Sequence, residues 1–364
     1  MTKREHNSRD IFRHFSAEYV PQIDGLITGL FEQKIAASDA MFMEEMYAAI
    51  SEFCLRDGKR IRPLLLINSF NGYKRGFGGR AGIINLATAV ELMHSFLLVQ
   101  DDIIDRSELR RGKKSLHILM NDMYGNLSLN PAIGTDIASV LADVIFSCAV
   151  ELISGADVRA AYKNRFLRVF SKTYEMTAWG QILDSLCTMP SSIDPQSDAP
   201  MRISLMKTAY YTMVYPMIMG YVLSGGRNER EKKRIENFGI PLGVAFQVRD
   251  DLLGVFGVEG DTGKPNDSDI KEGKFTLLVQ NAVTNLSGNE RSKFTECFLK
   301  AEKSHQDVEY IRQMIIDSGA MNDTISRHKE LIDEAKLKLE ELALTGRSRD
   351  VLCGVIESVE DIPV

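Results

Sequence analysis

The sequence predicts an all-helical protein built as one large domain, and three observations carry that expectation. Apolar residues recur at three- and four-residue spacing along most of the chain, as in Ile83, Leu86, Ala87, Val90 and Met93, or Ile332, Ala335, Leu339 and Leu342. Alternating β-branched runs joined by two-residue glycine turns, the mark of hairpins, are scarce. Gly and Pro gather instead at a few breaks, near Asn71 to Gly79, Asn126 to Gly134, Met189 to Pro200, Ser224 to Asn228 and Gly257 to Gly273.

Taken in chain order, the start MTKREHNSRDIFRHF is charged and lacks the apolar core of a secretory signal, so residues 1–15 are expected to form a flexible tail and 16–364 the helical domain. RDGKRIRP sets a tight turn that enters a helix at Pro63. The run from Ala81 to Val99 is an apolar helix interrupted by Asn85, Glu91 and His94, and Ala209 to Leu223 is another, shorter one. Neither fits a bilayer span, and no segment reads as transmembrane. The last third keeps the helical period without distinctive motifs.

Composition narrows the classes. A chain of 364 residues with 44% apolar content buries a large core, which argues against disorder. Acidic residues outnumber basic ones by 50 to 44, so no general attraction to nucleic acid is expected. Cys54, Cys148, Cys187, Cys297 and Cys353 are scattered with no CxxC pair, against both a disulfide framework and a zinc site. The expected compartment is the reducing cytoplasm.

Two acidic segments stand out. In SFLLVQDDIIDRSELRRGKK, Asp101 and Asp105 lie four residues apart on one helical face, with Asp102 beside them. At about 6 Å and an effective dielectric near 20 the two carboxylates repel by roughly 3 kcal/mol, so something cationic is required between them. An all-oxygen set favours a hard divalent ion, and Mg²⁺ bridges carboxylates to substrate phosphates. A solvated helix end paired with Arg106, Arg110 or Arg111 would explain one such cluster. The second, Asp250 and Asp251 in FQVRDDLLGVFG with Gln247 one turn earlier, is harder to read as surface decoration.

Basic residues supply a counterpart. Lys59, Arg60 and Arg62 enter a helix, and Arg110 and Arg111 follow the first acidic motif; guanidinium forks suit phosphate. Lys207 sits among apolar residues, where an unpaired ammonium is costly, and therefore needs an anion. Lys264 and Lys274 flank an acidic loop without Walker spacing, which disfavours nucleotide binding. His94, seven residues before Asp101, falls on nearly the carboxylate face.

GKRIRP, DDIID…RRG, GQILD, KT and FQVRDD…GKPNDSDIKEGK, in that order from about Ser51 to Thr276, resemble the trans-isoprenyl diphosphate synthases, most closely the short-chain, geranylgeranyl-type branch. The resemblance implies an isoprenoid synthase-type helical bundle around a deep central cavity, working as a homodimer. It implies that isopentenyl diphosphate is held by Lys59, Arg62, His94 and Arg111. The allylic diphosphate would be held through Mg²⁺, three ions in all, by Asp101, Asp105 and Asp250, with Arg110, Lys207, Lys264 and Lys274 in direct contact and Gln247 nearby. Asp102 and Asp251 complete the acidic motifs; Gln181 and Asp184, after Gly180, would orient this shell, and Thr208 would support the reacting cation. Gly254 stands where the family often has a third Asp, and Gln100 where many members have His.

The chemistry so implied is ionisation of the allylic diphosphate, condensation and proton loss, aided by charge stabilisation of the leaving group and with no protein nucleophile. Product length in the family responds to the positions of Phe96 and Leu97. Phe96 without a second aromatic resembles geranylgeranyl diphosphate producers and is expected at the tunnel floor, although ideal helix geometry puts Leu97, about 40° from Asp101, nearer the carboxylate face than Phe96, at about 140°. Farnesyl or longer products, a class I terpene cyclase and a non-catalytic regulatory subunit are the alternatives.

Overall fold

The computed structural model describes residues 5–73, 80–189, 193–257 and 267–362. Long helices dominate them. Chain order gives α1 (Glu5–Ala36), α2 (Met41–Leu55), α3 (Ile61–Tyr73), α4 (Arg80–Ile104), α5 (Leu116–Tyr124), α6 (Ile133–Gly155) and α7 (Ala160–Leu186). Then α8 (Ala199–Ile203) runs through a π-helical stretch, Ser204–Val214, into α9 (Tyr215–Leu223), followed by α10 (Glu229–Phe256). The remainder is α11 (Ser268–Glu272), α12 (Leu277–Asn285), α13 (Gly288–Phe298), α14 (His305–Asp317), α15 (Ala320–Leu339) and α16 (Gly346–Glu360). One contiguous apolar core joins them, and α4, flanked by α3 and α6, is largely inside it.

Local chemistry sets several boundaries. Asn228 caps α10 by accepting from the Arg230 N–H, Thr276 caps α12 through the Val279 N–H, and Ser304 with Asp307 forms a capping box at α14. The turn before α3 is unusual. Arg60 adopts a left-handed φ of 48°, a conformation that costs a non-glycine residue about 1–2 kcal/mol. Its buried guanidinium offsets that cost with bonds to Asp24 (3.0 Å), Glu91 (3.0 Å) and the Cys54 carbonyl (3.1 Å).

Three expectations change. The flexible tail is shorter than residues 1–15, because α1 begins at Glu5 and Phe15, Tyr19, Ile23, Ile27 and Phe31 form an i, i+4 stripe buried against the core. Arg9 fastens this end to the C-terminus through Asp361 (2.7 Å) and Glu357. A small hairpin, β1 (Leu109–Arg110) with β2 (Lys113–Lys114), interrupts the helices, and its central residues Arg111 (φ 55°) and Gly112 (φ 73°) are both left-handed, as a tight two-residue hairpin turn requires. Two helical stretches, Ala81–Ile104 and Ile133–Gly155, do have the length and apolarity of a membrane span. The first is core, with 78% of its most apolar window inside; the second has only 39% inside and turns an apolar face outward.

Candidate active site

The C-terminal end of α4, the hairpin, α7, the π-helical stretch and α10 surround a cavity of about 610 Å³. Asp101, from α4, and Asp250, from α10, both line it, so the two acidic segments converge on one space. Arg62, His94, Leu97, Gln100, Arg110, Arg111, Lys207, Thr208, Gln247 and Lys274 line the same cavity.

The first acidic segment is held by cations from three directions. Arg110, aimed by the hairpin, donates from Nε to Asp102 (2.8 Å) and from Nη2 to Asp101 (3.1 Å). Lys207 Nζ lies between Asp101 (3.1 Å) and Asp184 (2.7 Å), so the anion that its sequence context demanded comes from α4 and α7. Lys274 Nζ meets Asp105 at 2.9 Å and Glu272 at 2.7 Å, which ties the segment after α11 to the end of α4. Burial works against both lysine charges, yet the surrounding carboxylates overcome it and hold their pKa values above the ordinary lysine range. Asp102, expected among the catalytic carboxylates, is fully buried below the cavity wall and serves to orient Arg110.

The π-helical stretch explains where Lys207 and Thr208 point. Its wider winding, which often marks functional positions, ends with the Tyr215 N–H bonded back to the Tyr210 carbonyl. Gly180 permits this segment to press on α7, since a Cβ there would stand 2.6 Å from the Lys207 backbone nitrogen. Thr208 donates its hydroxyl proton to Gln247 Oε1, and Gln247 Nε2 donates to Asp251 (2.7 Å). Burial, with Asp269 and Asp250 adding like charge, raises the Asp251 carboxyl well above its usual value despite that hydrogen bond.

Next to this acidic half lies a basic one. Arg62 donates to His94 Nε2 (3.3 Å) and Thr212 (2.8 Å), stacks on the Tyr211 ring at 4.0 Å, and keeps a buried Nε without a hydrogen-bond partner. His94 therefore carries its proton on Nδ1 and donates it to the Tyr211 hydroxyl (2.6 Å). Burial first, then Arg62 and Arg111, pushes the His94 pKa well below its usual value, so the ring is neutral. Arg111 donates to the Arg56 carbonyl (2.9 Å), and its pKa too is lowered by burial. Among the described residues neither Arg62 nor Arg111 pairs with a carboxylate. Lys59 stays outside the cavity lining but feels Arg249 and Asp250.

Such an arrangement suits a doubly anionic substrate group. Among the described residues no three acidic, His or Cys side chains converge tightly enough to hold an ion unaided, so a divalent cation here needs oxygens from the substrate as well. The all-carboxylate donors of Asp101, Asp105 and Asp250 fit a hard ion, and Lys207, Arg110 and Lys274 offset part of the charge on Asp101 and Asp105.

Comparison with known proteins decides the family. The family model for polyprenyl synthetase matches residues 43–315. The chain belongs to the polyprenyl synthetase family. This prenyltransferase is 31% identical to the geranylfarnesyl diphosphate synthase of Aeropyrum pernix, over 81% of the chain and 87% of the relative. It is 28% identical to the geranylgeranyl diphosphate synthase of Saccharolobus solfataricus, over 80% and 82%. In structure it resembles the geranylgeranyl pyrophosphate synthase of Corynebacterium glutamicum, solved with isoprenyl diphosphate and magnesium (TM-score 0.83, 24% identity, 99% and 98% covered), and that of Pyrococcus horikoshii (TM-score 0.76, 25% identity, 97% and 98% covered). The prenyltransferase has the all-α isoprenoid synthase fold.

Within the prenyltransferase, Lys264 lies outside the described residues. Phe96 is buried one layer behind the cavity, against Phe146 (5.1 Å) and Tyr174 (5.4 Å), while Leu97 lines it. Helical geometry had already put Leu97 on that side. Sequence reasoning missed Tyr211, Thr212 and Glu272; the signal for the first two was the run of hydroxyl side chains Tyr210, Tyr211 and Thr212, one turn beyond Lys207.

Proposed function

We propose that this prenyltransferase condenses isopentenyl diphosphate with allylic prenyl diphosphates, head to tail, into a short all-trans product, geranylgeranyl diphosphate first among them. The observation that carries the reading is the division of the cavity rim. One cation set is interleaved with carboxylates and suits a diphosphate that arrives with Mg²⁺; the other, Arg62 and Arg111, has no acidic partner and suits a second diphosphate. A cyclase acting on one prenyl diphosphate has no use for the second set.

In this reading Asp101, Asp105 and Asp250 would hold Mg²⁺, three ions with substrate bound, and the metal would supply charge neutralisation for the departing allylic diphosphate. Lys207, Arg110 and Lys274 orient the same diphosphate. Thr208, its proton given to Gln247, keeps hydroxyl lone pairs for the cavity, where they support positive charge on the allylic carbons. Arg62, with neutral His94 and Tyr211 behind it, fixes isopentenyl diphosphate so that its double bond faces those carbons.

Phe96, with Phe146 and Tyr174, forms the floor behind Leu97 in this reading, and Phe96→Ala lengthens the products. The apolar outer face of α6, including Val140, together with exposed Trp179 and Leu186 on α7, supports a homodimer joined through these helices. The buried thiols of Cys54, Cys148, Cys187 and Cys297 suit the cytoplasm.

The deciding experiment supplies Mg²⁺, isopentenyl diphosphate and each of dimethylallyl, geranyl and farnesyl diphosphates and identifies the products by mass. Consumption of isopentenyl diphosphate into a C20 chain is expected. Release of cyclic hydrocarbon from one substrate alone, or no turnover, rejects the proposal.

A further inference from the structure

Arg110 and Arg111 are neighbours in the chain, yet Arg110 turns to the acidic half of the rim and Arg111 to the basic half. The hairpin between them has strands of two residues each, and Arg111 sits in the left-handed region, a strained conformation for a residue with a side chain. So short a hairpin is marginal by itself and needs support from outside. On the α4 side Arg110 fastens it to Asp101 and Asp102. On the other side it meets the end of α2. Arg56, the first residue beyond that helix, is buried although charged, and it does not line the cavity. Its guanidinium donates from Nε (3.0 Å) and Nη2 (2.8 Å) to one oxygen of Glu52, covers the Phe53 ring at 4.8 Å, and extends Nη1 to the Arg110 carbonyl at 3.4 Å. The Arg56 carbonyl accepts from Arg111 Nη1 (2.9 Å), and the other Glu52 oxygen takes Lys113 of β2 (2.7 Å). A further hairpin pair, Lys114 with Asp122, is exposed on both sides and adds little.

We infer that Arg56, braced by Glu52, is a positioning residue that fixes the hairpin from the α2 side and thereby sets Arg111 in the basic half. This rests on the reading of that half under the proposed function. Loss of the brace leaves Arg110 tied to Asp101 and Asp102, so the hairpin pivots about Arg110 and the displacement falls on Arg111. The consequence is selective: the isopentenyl diphosphate side loosens and the allylic side does not.

Steady-state kinetics of the full chain with Arg56→Met, Arg111→Met and both together test this, with thermal melting to establish that each variant is folded. Misplacement by about 1 Å costs up to about a hundredfold, so Arg56→Met is expected to raise KM for isopentenyl diphosphate roughly threefold to tenfold and KM for the allylic substrate by less than about twofold. In the Arg111→Met background the same change is expected to add less than about twofold, because residues that act through one contact are not additive. An Arg56 that only stabilises the fold would lower the melting temperature and the amount of active enzyme without moving one KM alone. Glu52→Gln, at the surface, takes the place of Arg56→Met if the latter does not fold, and is expected to raise the same KM by roughly twofold to threefold. A folded Arg56→Met, or in its place Glu52→Gln, with both KM values unchanged or raised alike overturns the assignment, as does full additivity in the double variant. An unchanged KM for isopentenyl diphosphate in Arg111→Met overturns the reading of the basic half, and the role of Arg56 with it.

Discussion

The acidic and basic halves of the cavity rim solve opposite electrostatic problems. Around Asp101 and Asp105 each of Arg110, Lys207 and Lys274 meets two carboxylates, at least one of them from another element, so the half keeps a net negative charge and holds its side chains by long-range pairs. Around Arg62 and Arg111 the charges rest on neutral groups, namely His94, Thr212, the Tyr211 ring and the Arg56 carbonyl. Charges that are half-buried and unneutralised remain costly until an anion arrives. Under the proposed function the difference is the one that a metal-bound diphosphate on the first half and a bare anion on the second would require.

The largest expected effect comes from breaking the acidic half. Asp101→Ala removes a partner of both Arg110 and Lys207, and steady-state assays are expected to show turnover lowered by roughly 10²–10³-fold or more. Near-normal rates would mean that the matched pairs are scaffolding. Next, Arg111→Met should raise KM for isopentenyl diphosphate by roughly tenfold to a hundredfold, the worth of a charged hydrogen bond, and leave KM for the allylic substrate nearly unchanged. Equal changes in both constants would erase the distinction between the halves.

Smaller effects sharpen it. Gly180→Ala pushes a methyl group against the Lys207 backbone, and denaturant unfolding is expected to show a loss of about 1–3 kcal/mol. Its kinetic effect should fall on the allylic substrate, which Lys207 orients in the proposed function. The smallest effect concerns His94. Its folded pKa is depressed, so below about pH 6.5 the unfolded chain takes up a proton that the folded ring refuses. Stability present above that pH therefore declines as the pH falls. Melting temperatures between about pH 7.5 and 5.5 should fall less steeply in His94→Gln than in the wild type; an unchanged slope would show that His117 and His328, whose pKa values are also lowered, dominate.

Much of the acidic half was legible because its information is local. Asp101 and Asp105 share a face by helical spacing alone, and the cost of burying Lys207 among apolar neighbours announces a partner without saying which. The basic half was less so. Nothing near Arg60 says that it turns inward to Asp24 and Glu91 while Arg62 faces the cavity, and Phe96 and Leu97 exchange places relative to the cavity through a rotation of one residue. Tyr19 to Phe31 fell inside the expected helical domain, while the charged residues up to Phe15 hid that the same helix begins at Glu5.

The sequence alone determined the helical class, the stock of carboxylates and guanidinium groups and the approximate ends of the helices, since periodicity and capping act over a few residues. Tertiary structure decided which carboxylate meets which cation, that Asp102 serves Arg110 rather than the cavity, and that Arg56 lies against the hairpin carrying Arg110 and Arg111. Those choices depend on the packing of helices distant in the chain, and an electrostatic pair is fixed by separation in space, on which spacing along the chain is silent.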